Sequence, residues 1–424
     1  MKTNKTKNNV PSIAVIGGGA SGLTAAIAAA RYAKQLKINV VVTVYESNSR
    51  VGKKILVTGN GRCNFTNDIM TVAHYHGEKE LAQCVLNKYT NDDIKSFFCS
   101  MGLFSKSDAA GRVYPMSSQA TAVLDVLRYE AESLGVIFSC ETKITSLNKH
   151  NGKFLLNGEY TADRCIVATG GKAAPVHGSD GSGFHILREY GVKVTDLFPA
   201  LVPIVCSAFP KSLKGIRAQG KISIKCSGKL LSEDCGEIQY TEYGLSGIPT
   251  MQVSRFAALA LADKKSEVYA VVDSCPYFTS EELKKELFSL IKNNPNLPCE
   301  LLLAGIMPKK LGVSFLNDCS VNAQMQISKL HPNVVERIVK SVKAKKYIVS
   351  SVKGFSDAQV TCGGIAGEEI EYNTLELKKI HGAYVCGEIV NIDGDCGGYN
   401  LQWAWASGLL AGISAVRSFD SAAN

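Results

Sequence analysis

The chain of 424 residues lacks the residue spacings on which metal centres and thiol relays depend. It has 14 cysteines, but no two of them form a C-x-x-C pair, and they do not cluster with His177, His185 or His381. Zinc ribbons, iron–sulfur centres and dithiol relays therefore have no support, and we predict no metal site. Many free thiols in one chain are typical of a reducing compartment, which favours a cytoplasmic protein.

Signatures of hydrolases and of membrane proteins are also missing. The sequence has no G-x-S-x-G elbow and no Ser-His-Asp order, and no internal repeat is visible. Residues 11–30 form an uncharged stretch behind a lysine-bearing start, which resembles a signal peptide, but a glycine run at 17–19 interrupts it. Because such a run suits neither a signal peptide nor a spanning helix, we predict no membrane segment.

The composition predicts a large globular chain with a mild positive excess. Hydrophobic residues make up 46% and charged residues 20%, so a large core can form, and the length suggests two or three domains. Three of the +9 charges, Lys2, Lys5 and Lys7, lie in residues 1–10, which we interpret as a solvated extension. The remaining excess is spread thinly, so a nucleic-acid partner is not expected. The sequence indicates no oligomeric state.

A glycine-rich turn near the start of the chain carries the first functional signal. The apolar run 12–16 has the composition of a buried parallel strand, and it leads into residues 17–22, which match G-x-G-x-x-G before an alanine-rich helix. Gly17 permits a tight turn, Gly19 lets the backbone approach a pyrophosphate, and Gly22 lets the helix pack against the strand. This order of elements predicts a dinucleotide site.

Glu46 ends the next predicted strand, 40–45, and completes the βαβ context that the motif requires. Its carboxylate would accept hydrogen bonds from ribose hydroxyls, which favours FAD or NAD over NADP. A glycine-rich turn without a ligand is the alternative. The contacts predicted for this part of the chain are Gly17, Gly19, Ala20, Ser21, Gly22, Glu46 and Ser47.

Two later strands favour FAD over NAD. Residues 164–171 form an apolar strand that ends in A-T-G-G, and residues 383–388 form another that ends in a glycine and an acid. In flavoproteins of this fold, the first block is a strand returning to the nucleotide domain and the second places a carboxylate on the ribityl chain. We therefore predict non-covalent FAD, with further contacts from Ile144, Thr169, Gly170, Gly387 and Glu388.

Residues 50–67, which contain T-G-N-G-R-C-N, closely resemble the signature of the BaiN/YhiN-like bacterial flavoproteins, often described as aminoacetone-oxidase-like. Further blocks that resemble this family lie at 111–115, 178–183, 199–203 and 397–404, so the resemblance runs from about residue 13 to 412. One segment, 240–249, departs from the family pattern. Glu242 stands there in place of a histidine, and Ile248 shifts the proline.

The resemblance adds cofactor contacts and two catalytic candidates. The 58–64 loop can place backbone N–H groups and a cation beside the flavin ring, and Lys54 and Arg62 would supply the positive charge. Tyr114 is the candidate proton donor, with Arg62 as the second catalytic residue. Alternatively, Arg62 pairs with a structural carboxylate and Cys63 serves only packing. The added cofactor contacts are Lys53, Lys54, Thr58, Gly59, Asn60, Arg62, Cys63, Asn64, Asn400, Leu401 and Gln402.

The pattern of elements predicts an α/β protein with a discontinuous, Rossmann-type FAD-binding domain like that of glutathione reductase. We assign residues 1–192 and 355–424 to this domain. Short alternating segments predict an antiparallel, barrel-like substrate domain at 193–277 and 346–354. Amphipathic runs predict a helical insert at 278–345.

The resemblance implies an FAD-dependent oxidoreductase that acts on a small molecule. We expect a reductase that passes hydride from NADH or NADPH through the flavin to a conjugated carbonyl compound. Because no second G-x-G-x-x-G is present, the nicotinamide cofactor would dock only transiently. Oxidation of a small amine by oxygen, of the aminoacetone type, is one alternative, and an FAD-dependent tRNA-modifying enzyme is another.

Overall fold

The computed structural model of the protein describes residues 10–263 and 267–420, so the extension expected at 1–10 lies outside the described residues except for Val10. The strands are β1 (Ser12–Ile16), β2 (Val41–Tyr45), β3 (Thr66–Asn67), β4 (Tyr75–Gly77), β5 (Ser105–Ser107), β6 (Arg112–Pro115), β7 (Ile137–Ser139), β8 (Leu147–His150), β9 (Lys153–Leu156), β10 (Tyr160–Ala162), β11 (Arg164–Val167), β12 (Phe198–Ala200), β13 (Ile204–Cys206), β14 (Arg217–Cys226), β15 (Lys229–Tyr240), β16 (Gly244–Ser246), β17 (Val268–Asp273), β18 (Lys345–Val352), β19 (Val360–Cys362), β20 (Ala383–Val385) and β21 (Ile392–Gly394).

The α-helices are α1 (Ala20–Leu36), α2 (Lys79–Lys88), α3 (Asn91–Cys99), α4 (Ala120–Ser133), α5 (Ser182–Arg188), α6 (Ile248–Ala262), α7 (Ser280–Asn293), α8 (Lys309–Asp318), α9 (Pro332–Lys343) and α10 (Tyr399–Asp420).

The chain divides into two compact units. The first, here called the nucleotide unit, comprises Met1–Leu197 and Val360–Asn424, and the second, the barrel unit, comprises Phe198–Gln359. The divisions fall at 197/198 and 359/360, where the sequence predicts 192/193 and 354/355. The helices α7, α8 and α9 share one hydrophobic core with the barrel strands, so they belong to the same compact unit.

A five-stranded parallel sheet forms the centre of the nucleotide unit, in the order β20-β11-β1-β2-β7. The register pairs Ile16 of β1 with both Val167 of β11 and Tyr45 of β2. Because these strands are parallel and in register, their carboxyl ends meet at one edge of the sheet. The predicted Rossmann-type fold is confirmed, and the predicted site residues that follow β1, β2 and β11 all lie at this edge.

The helices α1 and α10 pack closely in the nucleotide unit. A Cβ atom on Gly412 of α10 would lie 2.2 Å from the Ala25 carbonyl oxygen of α1, and one on Gly408 would lie 2.6 Å from the Ser21 carbonyl oxygen. Only glycine fits at both positions without a shift of the backbone. Small residues on both helices therefore hold the first turn of α1 against α10.

The barrel unit contains a closed, antiparallel six-stranded barrel in the order β13-β16-β15-β14-β17-β18. Alternate residues of β14 and β17 point inward, and Ile222, Ile224, Ala270 and Val272 are fully buried. The helices α7 and α9 lie between β17 and β18 in the chain. Thr279 caps the start of α7, and Pro332 is the first residue of α9. The predicted barrel is confirmed, and the helices predicted between its strands are part of the same compact unit.

The described residues contain no helix that is both long and apolar enough to cross a membrane. The uncharged stretch at 11–30 is accounted for by β1, the glycine turn and the first part of α1. No cluster of three potential metal ligands occurs within 10–263 and 267–420 either.

Candidate cofactor site

The glycine turn after β1 is shaped by backbone contacts at two of its three motif glycines. Gly17 has φ +105°, and a Cβ there would lie 2.5 Å from the Ala168 carbonyl oxygen. A Cβ on Gly22 would lie 1.9 Å from the Gly17 carbonyl oxygen. Gly19 differs, because nothing lies within 4 Å of the position that its Cβ would occupy. The turn therefore leaves open space at Gly19, where the motif places a phosphate.

The helix α1 begins beside this space without a cap. Gly19 is its N-cap residue, and in the part of the chain that the structure describes no side chain caps it and no acidic residue lies in its first turn. The first N–H groups of a helix lack intrahelical acceptors and carry the positive end of the helix dipole. The amides that follow Gly19, beginning with Ala20 and Ser21, can therefore bind an anion. The hydroxyl of Ser21 itself donates to the Cys386 carbonyl at 3.4 Å.

Glu46 is buried at the end of β2, and its carboxylate is held from several sides. One oxygen accepts from the Gly18 amide at 2.8 Å, and the other accepts from the amide of Asn48 at 2.8 Å and its side chain at 2.7 Å. The Ser47 hydroxyl lies 3.2 Å away. The Thr142 amide donates to the Glu46 carbonyl, which brings the segment containing buried Ile144 to the same edge. The carboxylate thus has a fixed position before any ligand binds.

The loop after β11 contributes two polar atoms that sequence reasoning missed. Gly170, with φ +73°, faces Ser179, because a Cβ on this glycine would lie 2.9 Å from the Ser179 hydroxyl. This hydroxyl and the Nδ1 atom of His177 are buried and have no hydrogen-bond partner among the described residues. Buried polar atoms are almost always paired, so these two are available to bond a ligand or a water. The only available signal was the glycine-rich block at 178–183.

His177 lies near two lysines that the sequence placed in the site. Burial, together with the charges of Lys53 and Lys54, lowers the pKa of its imidazole, so the ring is neutral at pH 7. The Lys53 ammonium donates to the Val176 carbonyl at 2.9 Å. A neutral ring between cations can donate or accept a hydrogen bond, and the lysines supply positive potential for an anionic ligand.

Glu388 and Lys54 form an ion pair at the end of the last strand of the sheet. The Lys54 ammonium lies 2.8 Å from one Glu388 oxygen, and the other oxygen accepts from both the amide and the hydroxyl of Thr361 at 2.9 Å. Gly387, with φ +78°, packs against Ser21, since a Cβ there would lie 2.3 Å from its hydroxyl. Thr361 was not recognised from sequence, because it lies in a short strand without a motif.

The T-G-N-G-R-C-N loop is an irregular turn in which Gly59, Asn60, Gly61 and Cys63 have positive φ. The Arg62 guanidinium lies over the Tyr114 ring, 4.8 Å from its centroid, and its Nε donates to the Gly59 carbonyl at 3.3 Å. The fold therefore brings the two catalytic candidates together. Thr58 serves the turn, because its hydroxyl donates to the Ile55 carbonyl at 2.7 Å.

Cys63 and Asn64 differ although they are neighbours. Cys63 is fully buried, and burial raises the pKa of its thiol to about 12 against an opposing hydrogen bond with Thr58. The thiol is therefore protonated at neutral pH and serves packing. Asn64 is also buried, but its Oδ1 atom has no partner within the described residues, and a Cβ on Gly398 would lie 2.8 Å from it.

The turn at 397–402 is fixed by side chains that the sequence assigned to the cofactor. The side chain of Asn400 accepts from the Gly394 amide at 2.8 Å and donates to the Gly394 carbonyl at 2.7 Å. The side chain of Gln402, fully buried, accepts from Thr66 at 2.7 Å and donates to the Tyr89 carbonyl at 3.1 Å. The structure thus gives Asn400 and Gln402 partners in the fold, while half-buried Leu401 lies between them in the first turn of α10.

These features together fit a dinucleotide with a flavin. An open helix start and a fixed carboxylate lie at one edge of the sheet, and buried polar atoms without described partners lie at His177, Ser179 and Asn64. FAD can meet each of them, with phosphates at the helix start, ribose hydroxyls at the carboxylate and a polar ring edge near Asn64.

Glu242 lies in the barrel unit and is exposed. Its carboxylate forms an ion pair of 2.7 Å with Lys214, and this hydrogen bond lowers the pKa of Glu242. The ammonium of Lys353 lies 4.0 Å from the ring centroid of the adjacent Tyr243. The residue that departs from the family pattern is therefore part of a charged surface of this unit.

The sequence was compared with known proteins. It matches the family model described as "HI0933-like protein Rossmann domain" over residues 11–414. It is 38% identical over 409 residues to the 3-dehydro-bile acid delta(4,6)-reductase of Clostridium scindens. This match covers 95% of the present chain and 98% of the reductase. It is 27% identical to the ribosomal RNA dihydrouridine synthase of Haemophilus influenzae (95% and 98% covered) and 25% identical to that of Escherichia coli (93% and 95% covered).

Proposed function

The chain belongs to the HI0933-like Rossmann family of FAD-dependent oxidoreductases, and from this premise we propose that it reduces a carbon–carbon double bond conjugated to a carbonyl group, with NADH or NADPH as electron donor. The observation that carries the proposal is the 38% identity to a delta(4,6)-reductase along nearly the whole of both chains. A 3-dehydro compound with such double bonds is a conjugated ketone. A dihydrouridine synthase also reduces a double bond conjugated to a carbonyl, that of uracil.

The residues that would hold FAD follow from the contacts described above. The amides after Gly19 would bind the pyrophosphate, and Glu46 would bind the ribose of the adenosine. The Glu388 and Lys54 pair would lie along the ribityl chain, and Asn64 would bind the polar edge of the ring. When bound, FAD supplies the chemistry of accepting hydride from the nicotinamide and passing it to the substrate. We propose non-covalent binding.

Two side chains of this chain would act on the substrate. Addition of hydride to the β-carbon places negative charge on the carbonyl oxygen, and the α-carbon then takes a proton. We propose that the Arg62 guanidinium stabilises this charge and that the Tyr114 hydroxyl delivers the proton. Their contact supports paired roles, because it places the guanidinium and the phenol together beside the same part of the site.

Anaerobic stopped-flow spectroscopy of the yellow protein tests the reaction. NADH or NADPH should bleach the flavin absorbance, and a conjugated 3-oxo-Δ4 steroid should restore it, whereas the corresponding saturated ketone should not. If aminoacetone bleaches the flavin without a nicotinamide and oxygen restores it, the amine oxidase alternative replaces the proposal.

The variant Tyr114→Phe tests the proton donor. It should slow the restoration of absorbance by the conjugated ketone and leave bleaching by the nicotinamide unchanged, because no proton is delivered in that first step. Tyr129→Phe is the matched control, since Tyr129 is 74% exposed on α4. Equal rates in Tyr114→Phe and the control would remove Tyr114 from the mechanism.

A uracil base in ribosomal RNA is the second candidate substrate. Its conversion to dihydrouracil is also the reduction of a carbon–carbon double bond conjugated to a carbonyl group. Two relatives that this chain matches at 25–27% identity are named ribosomal RNA dihydrouridine synthases. The expectation of a thinly spread positive charge was wrong, because the excess is concentrated in the barrel unit, whose residues 198–359 include 21 Lys and Arg but 14 Asp and Glu. Positive charge of this kind attracts phosphate backbones. Formation of dihydrouridine in purified ribosomal RNA, with no turnover of the steroid, would favour this candidate.

A further inference from the structure

Two histidines and an aspartate meet beside the 397–402 turn, in which Gly398 lies against Asn64, the residue proposed to bind the flavin ring. The strands β4 and β21 pair antiparallel, with His76 opposite Asp393 and Tyr75 opposite Gly394. Asp395 follows β21 directly, and its amide donates to the His74 carbonyl at 2.9 Å. This pairing brings together residues more than 300 positions apart in the chain.

The carboxylate of Asp395 bonds one ring with each of its oxygens. Its Oδ2 atom lies 3.0 Å from Nδ1 of His74, and its Oδ1 atom lies 3.0 Å from Nε2 of His76. An ionised carboxylate can only accept hydrogen bonds, so each ring must carry a proton on the nitrogen that faces it. Asp395 therefore fixes the tautomer of both neutral rings.

The same cluster holds the turn at 397–402 in place. The His74 ring stacks on Tyr399, with centroids 4.3 Å apart and planes at 19°, and Tyr399 is the first residue of α10. The Tyr75 hydroxyl donates to the Tyr399 carbonyl at 2.8 Å, and Asn400 donates to the Asp395 carbonyl at 3.3 Å. The cluster thus fixes the chain on both sides of Gly397 and Gly398 before the cofactor binds.

The cluster contains two imidazoles, the side-chain type that exchanges protons around neutral pH. Burial raises the pKa of Tyr75 well above its usual range and that of Tyr399 to about 12, so both phenols stay protonated. The charged groups closest along the chain are the carboxylates of Asp393 and Glu78, the latter bonded to Asn391, and exposed Lys79 and Glu80 at the start of α2. The far end of α2 carries Lys88, and the last turns of α10 carry Arg417 and Asp420. None of these charged groups has an ordinary pKa between 6 and 8.

We propose that His74, Asp395 and His76 are positioning residues for the flavin turn and that the two histidines take up one proton when the bound FAD is reduced. Two-electron reduction adds negative charge to the cofactor. A proton from solvent that binds to one imidazole offsets this charge, and Asp395 stabilises the resulting cation. The inference rests on the proposed function and on its placement of the flavin ring at Asn64, which lies against Gly398 of the turn.

Isosteric substitutions separate proton uptake from hydrogen bonding. The amide nitrogen of asparagine can replace Nδ1 of a histidine, and that of glutamine can replace Nε2. The double variant His74→Asn/His76→Gln therefore keeps both donors to Asp395 but cannot take up a proton. His381→Asn is the control, because His381 is 86% exposed and lies 3.9 Å from its partner Glu376.

The experiment measures the midpoint potential of bound FAD between pH 5 and 8, with dithionite as reductant and no substrate. The parent and His381→Asn should show a slope steeper by about 30 mV per pH unit than the double variant over part of this range, because one more proton accompanies two electrons. Equal slopes in the parent and the double variant would overturn proton uptake. A double variant that loses FAD would overturn the claim that the hydrogen bonds alone hold the turn.

Asp395→Ala tests the positioning role, and we expect its affinity for FAD to fall at least tenfold. Unchanged affinity would overturn that role. The midpoint potentials and FAD affinities still test this inference if the proposed reaction is wrong, because none of these measurements requires turnover of a substrate.

Discussion

The nucleotide unit and the barrel unit use their carboxylates differently. In the nucleotide unit, Glu46 and Glu388 accept hydrogen bonds from backbone amides at the ends of strands, and Asp163 accepts from the amide of Ser12. In the barrel unit, Glu242 and Glu233 pair with lysines at the surface. Buried and half-buried carboxylates that hold backbone fix the geometry of a site, whereas exposed pairs contribute little to stability and mainly shape the surface potential.

The two units also differ in net charge, which is nearly balanced in the nucleotide unit and positive in the barrel unit. Lys and Arg exceed Asp and Glu by 26 to 24 in the nucleotide unit and by 21 to 14 in the barrel unit. Substitutions in the first unit should therefore change cofactor binding or folding, and substitutions of exposed charges in the second should not.

The largest effect is expected for Gly19→Val. Because Gly19 has open space around it, the variant should fold with an unchanged melting temperature as apoprotein but bind FAD at least 100-fold more weakly. Gly22→Val is the contrasting variant, since its side chain would meet the Gly17 carbonyl and should destabilise the apoprotein itself. Titration of the apoproteins with FAD and thermal unfolding distinguish the two. Normal FAD affinity in Gly19→Val would place the pyrophosphate elsewhere.

Glu46→Ala should weaken FAD binding by about 1.5–3 kcal/mol, or roughly ten- to a hundredfold, through loss of a charge-assisted bond to the ribose. Glu369→Ala is the matched control, because Glu369 is also buried in this unit and bonds the Lys193 amide and Lys379. Flavin retention after dilution and gel filtration measures the difference. Equal retention in both variants would show that Glu46 serves the fold alone.

Asp163→Asn should destabilise the nucleotide unit by about 1–3 kcal/mol at pH 7. Burial acts to raise the pKa of the Asp163 carboxyl, but hydrogen bonds from Ser12 and Lys153 outweigh it and hold this pKa below its usual value. A lowered folded-state pKa stabilises the protein above the unfolded pKa of about 3.9, and this contribution is lost as the pH falls through the folded value. Urea unfolding at pH 7 and pH 3 should show the difference between variant and parent shrinking at low pH. A constant difference would refute the electrostatic origin.

Ser179→Ala should weaken FAD binding by up to about tenfold, the effect of one hydrogen bond, without loss of apoprotein stability. The hydroxyl has no partner among the described residues, so its removal costs the apoprotein nothing. Thr250→Val in the barrel unit removes another buried hydroxyl without a described partner and should leave FAD affinity unchanged. Titration of both apoproteins with FAD, as for Gly19→Val, measures the difference. Equal FAD affinity in the two variants would remove Ser179 from the site.

The smallest effect is expected for Glu242→Gln, because its partner Lys214 is exposed as well. Flavin retention and melting temperature should match the parent in parallel assays. The ratio of turnover for a matched amine and carboxylate substrate should also be unchanged. A changed ratio would bring Glu242 into substrate selection despite its exposure.

The sequence was informative where a local pattern dictates the geometry. Gly17, Gly22 and Glu46 could be placed because a strand, a turn and a helix that follow one another leave few arrangements. The barrel was predictable from alternating segments such as β14.

Other parts of the site depend on contacts that no local pattern encodes. His74 and Asp395 meet only because β4 pairs with β21, and their spacing in the chain carries no signal. Likewise, the buried side chain of Gln402 bonds Thr66 rather than facing outward, which depends on the packing of α10. Such contacts follow from tertiary structure rather than from propensity.

The contact between α1 and α10 has a consequence for the order of assembly during synthesis. The alanine-rich face of α1 emerges from the ribosome early, but the glycines that cover it, Gly408 and Gly412, are added only after the barrel unit has been made. The barrel unit is continuous in the chain and can fold before α10, which packs on α1, has been synthesised. Nascent chains should therefore carry an exposed apolar helix through most of translation, a feature that chaperones recognise, and FAD should bind only after α10 has been released.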